Sequence, residues 1–355
     1  MIKKLILTAI IILGVINCSG NSGKELIETA TNDNFEEAKL LVELVEQEDN
    51  VNSNDKDGVT DLMQASENGN LETVKDLVEI KRVNINAKNE NGETALISAS
   101  KWGQLEVVKY LLEKGADINS KDKDGYTALS LASIVGNLEI VKYLIEKGVD
   151  IDGGTALIMA SAEERNLEIV KYLVEKGADI NAHEDLRGET ALIMASAEGH
   201  LEIVKYLVEN GADINAKTKG DITALMWASS PGTRAGGDGY LEIVEYLIEK
   251  GAEIDAKSKS GSTALIMASA EEWNLKTVKI LVENGADINA QNNDGYTALM
   301  VASYSEDMFL SHLEIVKYLI ENGADINAKN NEGKTALDLA DTDEIKEVLR
   351  KAGAK

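Results

Sequence analysis

Catalysis and metal binding need particular side chains at short, fixed spacings, and this chain has few. Its three histidines, His183, His200 and His312, stand far apart, and no HExxH, CxxC or nucleophile-elbow pattern occurs. Cys18 is the only cysteine, so neither an internal disulfide nor a cysteine metal cluster can form. The glycine-rich run at 232–239 lacks the lysine and the strand-to-helix setting of a phosphate loop. Asp55-x-Asp57-Gly58 and Asp122-x-Asp124-Gly125 begin like calcium loops. Aligned on their glycines, the closing glutamate of such a loop falls at Gln64 and Leu131, so the ligand set is incomplete. No acid, base and nucleophile converge. The residues predict no catalysis, no metal and no cofactor.

What the chain has instead is periodicity. A Thr-x-Leu core recurs at Thr60, Thr94, Thr127, Thr155, Thr190, Thr223, Thr263, Thr297 and Thr335, at spacings of 34, 33, 28, 35, 33, 40, 34 and 38. Most copies are followed by a second block, such as LEVVKYLLEKGADIN from Leu105 or LEIVKYLVENGADIN from Leu201. Each part has a local reason. Thr94 can cap a short apolar helix that runs to Ser100. Gly103 permits positive φ after it. Leu105 to Glu113 carries apolar residues at helical spacing, with Leu105, Val108 and Leu112 on one face. Gly115 stops that helix, and Asp117 to Gly125 supplies turn formers. A unit this small cannot bury its own apolar face, so copies must stack.

Composition agrees with an array. The chain has 355 residues, 44% hydrophobic but only 4% aromatic, and a single proline. Its core must be built from Ala, Leu, Ile and Val. The formal net charge of −26 disfavours nucleic acid and anionic membrane surfaces, keeps a long stack from self-associating, and makes a basic protein the expected charged partner.

The repeat resembles the ankyrin repeat in length, in its two helices and turn, and in its G-x-T-x-L and G-A-D-I-N blocks. The likeness runs from about 24 to 355. It implies an all-α repeat solenoid, ankyrin-like, of stacked helix-turn-helix units joined by β-hairpin-like loops. It also implies a non-enzymatic scaffold, monomeric, that binds a protein partner through hairpin tips and the concave first-helix face. The family's T-P-L-H is here T-A-L followed by Ile97, Ser130, Ile158 or their equivalents, so threonine–histidine bracing between repeats is expected to be missing.

Carried over by position, the partner-binding candidates are Trp102, Tyr126, Trp273 and Tyr296, aromatics where the family has polar variable residues. Leu186 and Arg187 join them at a hairpin tip. Irregular spacings add more. The finger after Asp152 is nearly missing, loop 229–240 is flexible in composition, and loop 304–312 carries Tyr304 and Phe309. Each insert can instead be neutral, and each aromatic can instead pack on its neighbouring repeat. The tyrosine column Tyr110, Tyr143, Tyr172, Tyr206, Tyr246 and Tyr318 recurs at one second-helix position and reads as structural, with hydroxyls near solvent.

The first residues are of another kind. Lys3 and Lys4 precede an uncharged apolar run from Leu5 to Ile16, too short to span a bilayer, and Cys18 closes it before Ser19-Gly20-Asn21-Ser22-Gly23. This resembles a bacterial lipoprotein signal, although Val15 stands where Leu is usual and Asn17 where Gly, Ala or Ser is usual. The resemblance implies lipidation at Cys18 and a membrane protein held in the bacterial cell envelope by that anchor, periplasmic or surface-exposed. An ordinary signal peptide or an uncleaved anchor are the other readings. The expected layout is signal peptide 1–17, tether 18–23, degenerate capping repeat 24–54, array 55–330 and C-terminal capping repeat 331–355. Beside a plain scaffold, an accessory or inhibitory factor for a periplasmic enzyme and an adhesin or host-directed effector fit the same layout.

Overall fold

A computed structural model describes residues 60–151, 154–230, 239–271, 274–304 and 311–355. The signal, tether and N-terminal cap expected before Thr60 lie outside the described residues, as do Cys18, Trp273 and Phe309. Among the described residues there are 18 α-helices and no strand. The stacked all-helical solenoid expected from the sequence is what the chain forms, although its loops do not form regular β-hairpins.

The first helices of the successive units are α1 (Asp61–Glu67), α3 (Ala95–Lys101), α5 (Ala128–Val135), α7 (Thr155–Ala160), α9 (Ala191–Glu198), α11 (Ala224–Ser229), α13 (Ala264–Ala268), α15 (Ala298–Ser303) and α17 (Ala336–Leu339). The second helices are α2 (Leu71–Lys75), α4 (Leu105–Glu113), α6 (Leu138–Glu146), α8 (Leu167–Glu175), α10 (Leu201–Glu209), α12 (Gly239–Glu249), α14 (Leu275–Glu283), α16 (Ser311–Glu321) and α18 (Asp343–Ala352). Each first helix packs on the next first helix, and each second helix on the next second helix.

These helices are too short to persist alone. Threonine starts eight of the nine first helices. At Thr60, for example, the hydroxyl accepts from Met63 N at 3.2 Å, and the same bond forms at Thr94, Thr127, Thr190, Thr223, Thr263, Thr297 and Thr335. Thr155 differs. The shortened loop draws it into α7, whose N-cap is Gly154, and that cap has no side-chain bond. At the last unit Asp338 completes a reciprocal cap with Thr335. Bonds from the Thr335 backbone and hydroxyl hold its carboxyl below the usual range.

Stacking supplies the core. Leu96, Leu129, Leu157, Leu192, Leu225, Leu265 and Leu299, one per unit, are buried, and so are the alanines beside them. On α4 the buried face is Val107, Val108 and Leu111, whereas Leu105 and Leu112 are only half-buried. The expected stripe is therefore rotated by about one position, because α4 is covered from two sides. The serine of each Ala-Ser pair is fully buried. Its hydroxyl bonds the carbonyl four residues back at Ser133, Ser161, Ser269 and Ser303.

The missing histidine brace has a substitute. The residue just before the second helix reaches back to the carboxyl end of the preceding unit's first helix. Gln104 donates to Glu67 O at 2.9 Å, Asn137 to Ser100 O at 3.1 Å, and Asn166 to both Ser133 O and Ile134 O at 2.9 Å. His200 donates to Ala162 O and Asn274 to Ser229 O, and Tyr240, in the first turn of α12, donates to Ala197 O. These bonds satisfy carbonyls that a helix end leaves without partners.

One irregularity carries a stability prediction. Relative to its neighbours, the first described unit holds one extra residue after α2, and Asp76–Ile80 forms a π turn that absorbs it. The extra residue leaves Arg82, at φ 53°, where other units have a left-handed glycine. Asp221, at φ 58°, does the same in a later loop. Arginine in this region costs about 1–2 kcal/mol, partly offset by the greater chain freedom of glycine when unfolded. Arg82→Gly should stabilise by about 0.5–1 kcal/mol in urea denaturation. Asp221→Gly should change little, since Asp tolerates the region.

Candidate protein-binding face

The loops between units form a row of fingers, tied tip to tip by backbone bonds. Lys123 N donates to Asn91 O, Lys219 N to Arg187 O, Lys259 N to Gly220 O, Asn293 N to Ser260 O and Asn331 N to Asp294 O, at 2.8–3.0 Å. An asparagine or aspartate side chain repeats the link at the finger base, as where Asn119 accepts from Asp150 N at 3.0 Å. The row is interrupted where the sequence drops a finger, between the finger of Tyr126 and that of Leu186.

The structure brings those two fingers into one neighbourhood. Tyr126 is half-buried, and burial pushes its hydroxyl up, reinforced by the carboxylates of Asp124, Glu184 and Asp122 and opposed by Arg187. The Glu184 carboxylate accepts from the backbone of both Leu186 and Arg187, folding that tip around it. Leu186 is left 69% exposed. The Arg187 guanidinium reaches Glu189 at 3.8 Å but stays largely in solvent. The charges of Glu184 and Arg187 thus act on Tyr126 across the missing finger, a juxtaposition the sequence did not show.

Other candidates stand apart. Trp102 follows α3 and is 56% exposed; Tyr304 follows α15 and is 51% exposed. Val135, also exposed, occupies Trp102's position in the next unit. Tyr296 is half-buried and packs against the core, the structural role.

The tyrosine column behaves as a structural ladder. Lysines lie over its rings, for example Lys114 over Tyr110 at 5.4 Å and Lys250 over Tyr246 at 5.3 Å. Tyr110 donates to Glu79, itself held below the usual carboxylate range by Lys114 at 2.8 Å. Its hydroxyls are not all near solvent, since that of Tyr246 is buried, with no hydrogen-bond partner among the described residues.

A feature missed in the sequence lies on the first helices. Four residues after the Thr position stand Leu131, Met159, Met194, Trp227, Met267, Val301 and Leu339, all half-buried, and in all but the last unit their helical neighbours are buried. They share the open side of the first-helix row. The signal was present in part, since this repeat position holds a large apolar residue in seven of the nine units, with Gln64 and Ser98 in the other two. It was hidden because these segments are apolar or serine at almost every position, so pattern alone could not separate an outward from an inward face.

Chemically this surface offers apolar contact and charge. Among the described residues, no three His, Cys, Asp or Glu are placed to hold a metal ion. No described helix is long and apolar enough to cross a membrane. Comparison with curated proteins finds no match for the chain. A family model described as ankyrin repeats (3 copies) matches residues 26–122, 118–184, 181–258, 233–330 and 292–354, and so nearly the whole chain. The chain belongs to the ankyrin-repeat family.

Proposed function

We propose that this protein is an exported, non-enzymatic scaffold, anchored in a bacterial envelope through Cys18, that holds a protein partner against its fingers and first-helix face. Ankyrin repeats generally mediate protein–protein interaction. The observation that carries the reading is the exposure of Trp102, Leu186 and Tyr304 on loops of a stack whose other large apolar residues are mostly buried. Exposed aromatics are the residues that dominate interface energies. The anchor rests on the charge, apolar run and cysteine of residues 1–18. More than one acyl chain makes such an anchor stable, since one alone binds marginally.

Two measurements test the two halves. A photo-crosslinking amino acid at position 102, in cells, should trap one protein reproducibly, identified by mass spectrometry. The same probe at the convex position 139 should trap none. No specific product at position 102 would sink the scaffold reading. In a detergent-partition assay the native chain should enter the detergent phase and Cys18→Ala the aqueous phase. Identical partition of the two chains would remove the anchor.

A further inference from the structure

At one place the finger tips reverse the sign of the whole chain. Two neighbouring fingers read Lys217-Thr218-Lys219-Gly220-Asp221-Ile222 and Lys257-Ser258-Lys259-Ser260-Gly261-Ser262. Lys217, Lys219, Lys257 and Lys259 are exposed, while Thr218 and Ser258 between them are buried. The two tips thus hold four lysines and a single carboxylate, that of Asp221. Other fingers are balanced. Lys121 and Lys123 alternate with Asp122 and Asp124, and Lys334 pairs with Glu332 at 2.8 Å. Among the described residues, none of the four lysines forms an ion pair. The carboxylates at the two finger bases, Asp213 and Asp255, accept from Asn215 N and Asp287 N, both at 2.9 Å.

Hydrogen bonds fix these tips against each other and against Leu186. Lys219 donates from its backbone N to Arg187 O at 2.8 Å and from its amine to Asp185 O, so it grips both residues that flank Leu186. Lys259 N donates to Gly220 O at 2.9 Å, directly beside Lys219. The Lys257 amine donates to Gln291 O at 3.1 Å. Such a bond uses one of the three ammonium donors and leaves the charge uncancelled. Leu186 is 69% exposed, and Arg187 keeps most of its guanidinium in solvent although it reaches Glu189 at 3.8 Å.

We infer that the row Leu186, Lys219, Lys259 receives an extended acidic segment of the partner, with an apolar side chain on Leu186 and carboxylates on the lysines of the next two fingers. The inference rests on the scaffold reading above and names the partner's chemistry. Neighbouring units lie about 8–10 Å apart and an extended chain rises about 3.3 Å per residue, so successive fingers meet every third residue or so. The formal charge of −26 favours a basic partner for the chain as a whole. At physiological salt, however, charges are screened beyond about 8 Å, so a segment on the tips feels the lysines it touches more than distant carboxylates. A basic segment would meet like charge there. A long polyanion would run on from these fingers to Glu184, Asp185 and Glu189 on one side and Asp294 on the other, which a short acidic segment avoids.

The test uses the full chain and a synthetic peptide of about ten residues, a leucine followed by pairs of glutamates at about three-residue intervals. Binding is read by fluorescence anisotropy at about 0.15 M salt. The same peptide with glutamine for glutamate should bind at least about tenfold more weakly. The quadruple variant Lys217→Glu, Lys219→Glu, Lys257→Glu, Lys259→Glu should weaken binding of the acidic peptide by at least about tenfold. Lys88→Glu, Lys121→Glu, Lys123→Glu, Lys329→Glu makes the same charge change at exposed positions of other fingers and should weaken it by less than about twofold. Leu186→Ser should weaken it by about fivefold. Circular dichroism checks folding, and the matching Lys→Gln quadruple replaces any variant that unfolds. Equal weakening by both quadruples, equal binding of the glutamine peptide, unchanged binding with Leu186→Ser, or no measurable binding would overturn the inference. So would tighter binding of a single-stranded DNA of similar length at the same salt, which would make the tips a nucleic-acid site. A partner trapped at position 102 whose capture ignores the first quadruple overturns this inference alone. No trapped partner at all overturns the scaffold reading.

Discussion

Gly154→Ala should split the unfolding of the array into two transitions. Gly154 caps α7 at φ 96°, in the region where a side chain costs about 1–2 kcal/mol. A Cβ there would also lie 2.2 Å from the Ala182 Cβ and 3.1 Å from the Asp179 carbonyl oxygen, at the foot of the next finger. Neither atom is the end of a flexible side chain, so the backbone must move, at about 1–3 kcal/mol. The total of about 2–5 kcal/mol falls where one finger is missing and the tip-to-tip bonds are interrupted. Stability in a stack is a sum of unit and nearest-neighbour terms, so weakening one junction uncouples its two sides. Gly115→Ala is the control. Gly115 has φ 93°, but nothing lies within 4 Å of its would-be Cβ, so only the conformational cost of about 1–2 kcal/mol applies. Urea unfolding of single-tryptophan variants separates the two sides, with Trp102 reporting one and Trp227 the other. A single coincident transition, with Gly154→Ala no worse than Gly115→Ala, would refute the account.

Asn166→Ala should cost about 2–3 kcal/mol, against about 1 kcal/mol for Asn137→Ala. The amide of Asn166 is 1% exposed and donates to two carbonyls at the end of α5, both at 2.9 Å. Removing it leaves buried acceptors without partners, and water cannot easily replace it. Asn137 makes one such bond, at 3.1 Å, in a half-buried setting. Asn166 also holds the junction that lost its finger, so its bonds stand in for the missing backbone link. Asn166→His should recover most of the stability, because His200 donates from the same position. Urea midpoints of the three variants decide the matter. An alanine effect equal to that at Asn137, or no recovery with histidine, would remove this role.

Much of this was legible in the residues. Threonine caps, the two helices and the stacked core follow from local chemistry repeated nine times, and repetition turns weak local signals into a firm one. The exception at Thr155 was visible as a spacing of 28, but its effect was not. That a lost finger would draw threonine into the helix depends on where the next unit sits. The bracing role of Gln104, Asn137 and Asn166 was also out of reach, because their acceptors are carbonyls, which every sequence contains.

The sequence by itself determined the unit, its number and its acidic character, since these rest on local pattern and on departures from it. Only the tertiary structure decided which residues meet. It brought the charges of Glu184 and Arg187 to Tyr126 across the missing finger. It left Met159, Met194, Trp227 and Met267 half-buried at one repeat position while their helical neighbours are buried. The physical reason is that a first helix apolar all round has no face of its own. Stacking buries most of it and leaves one side open.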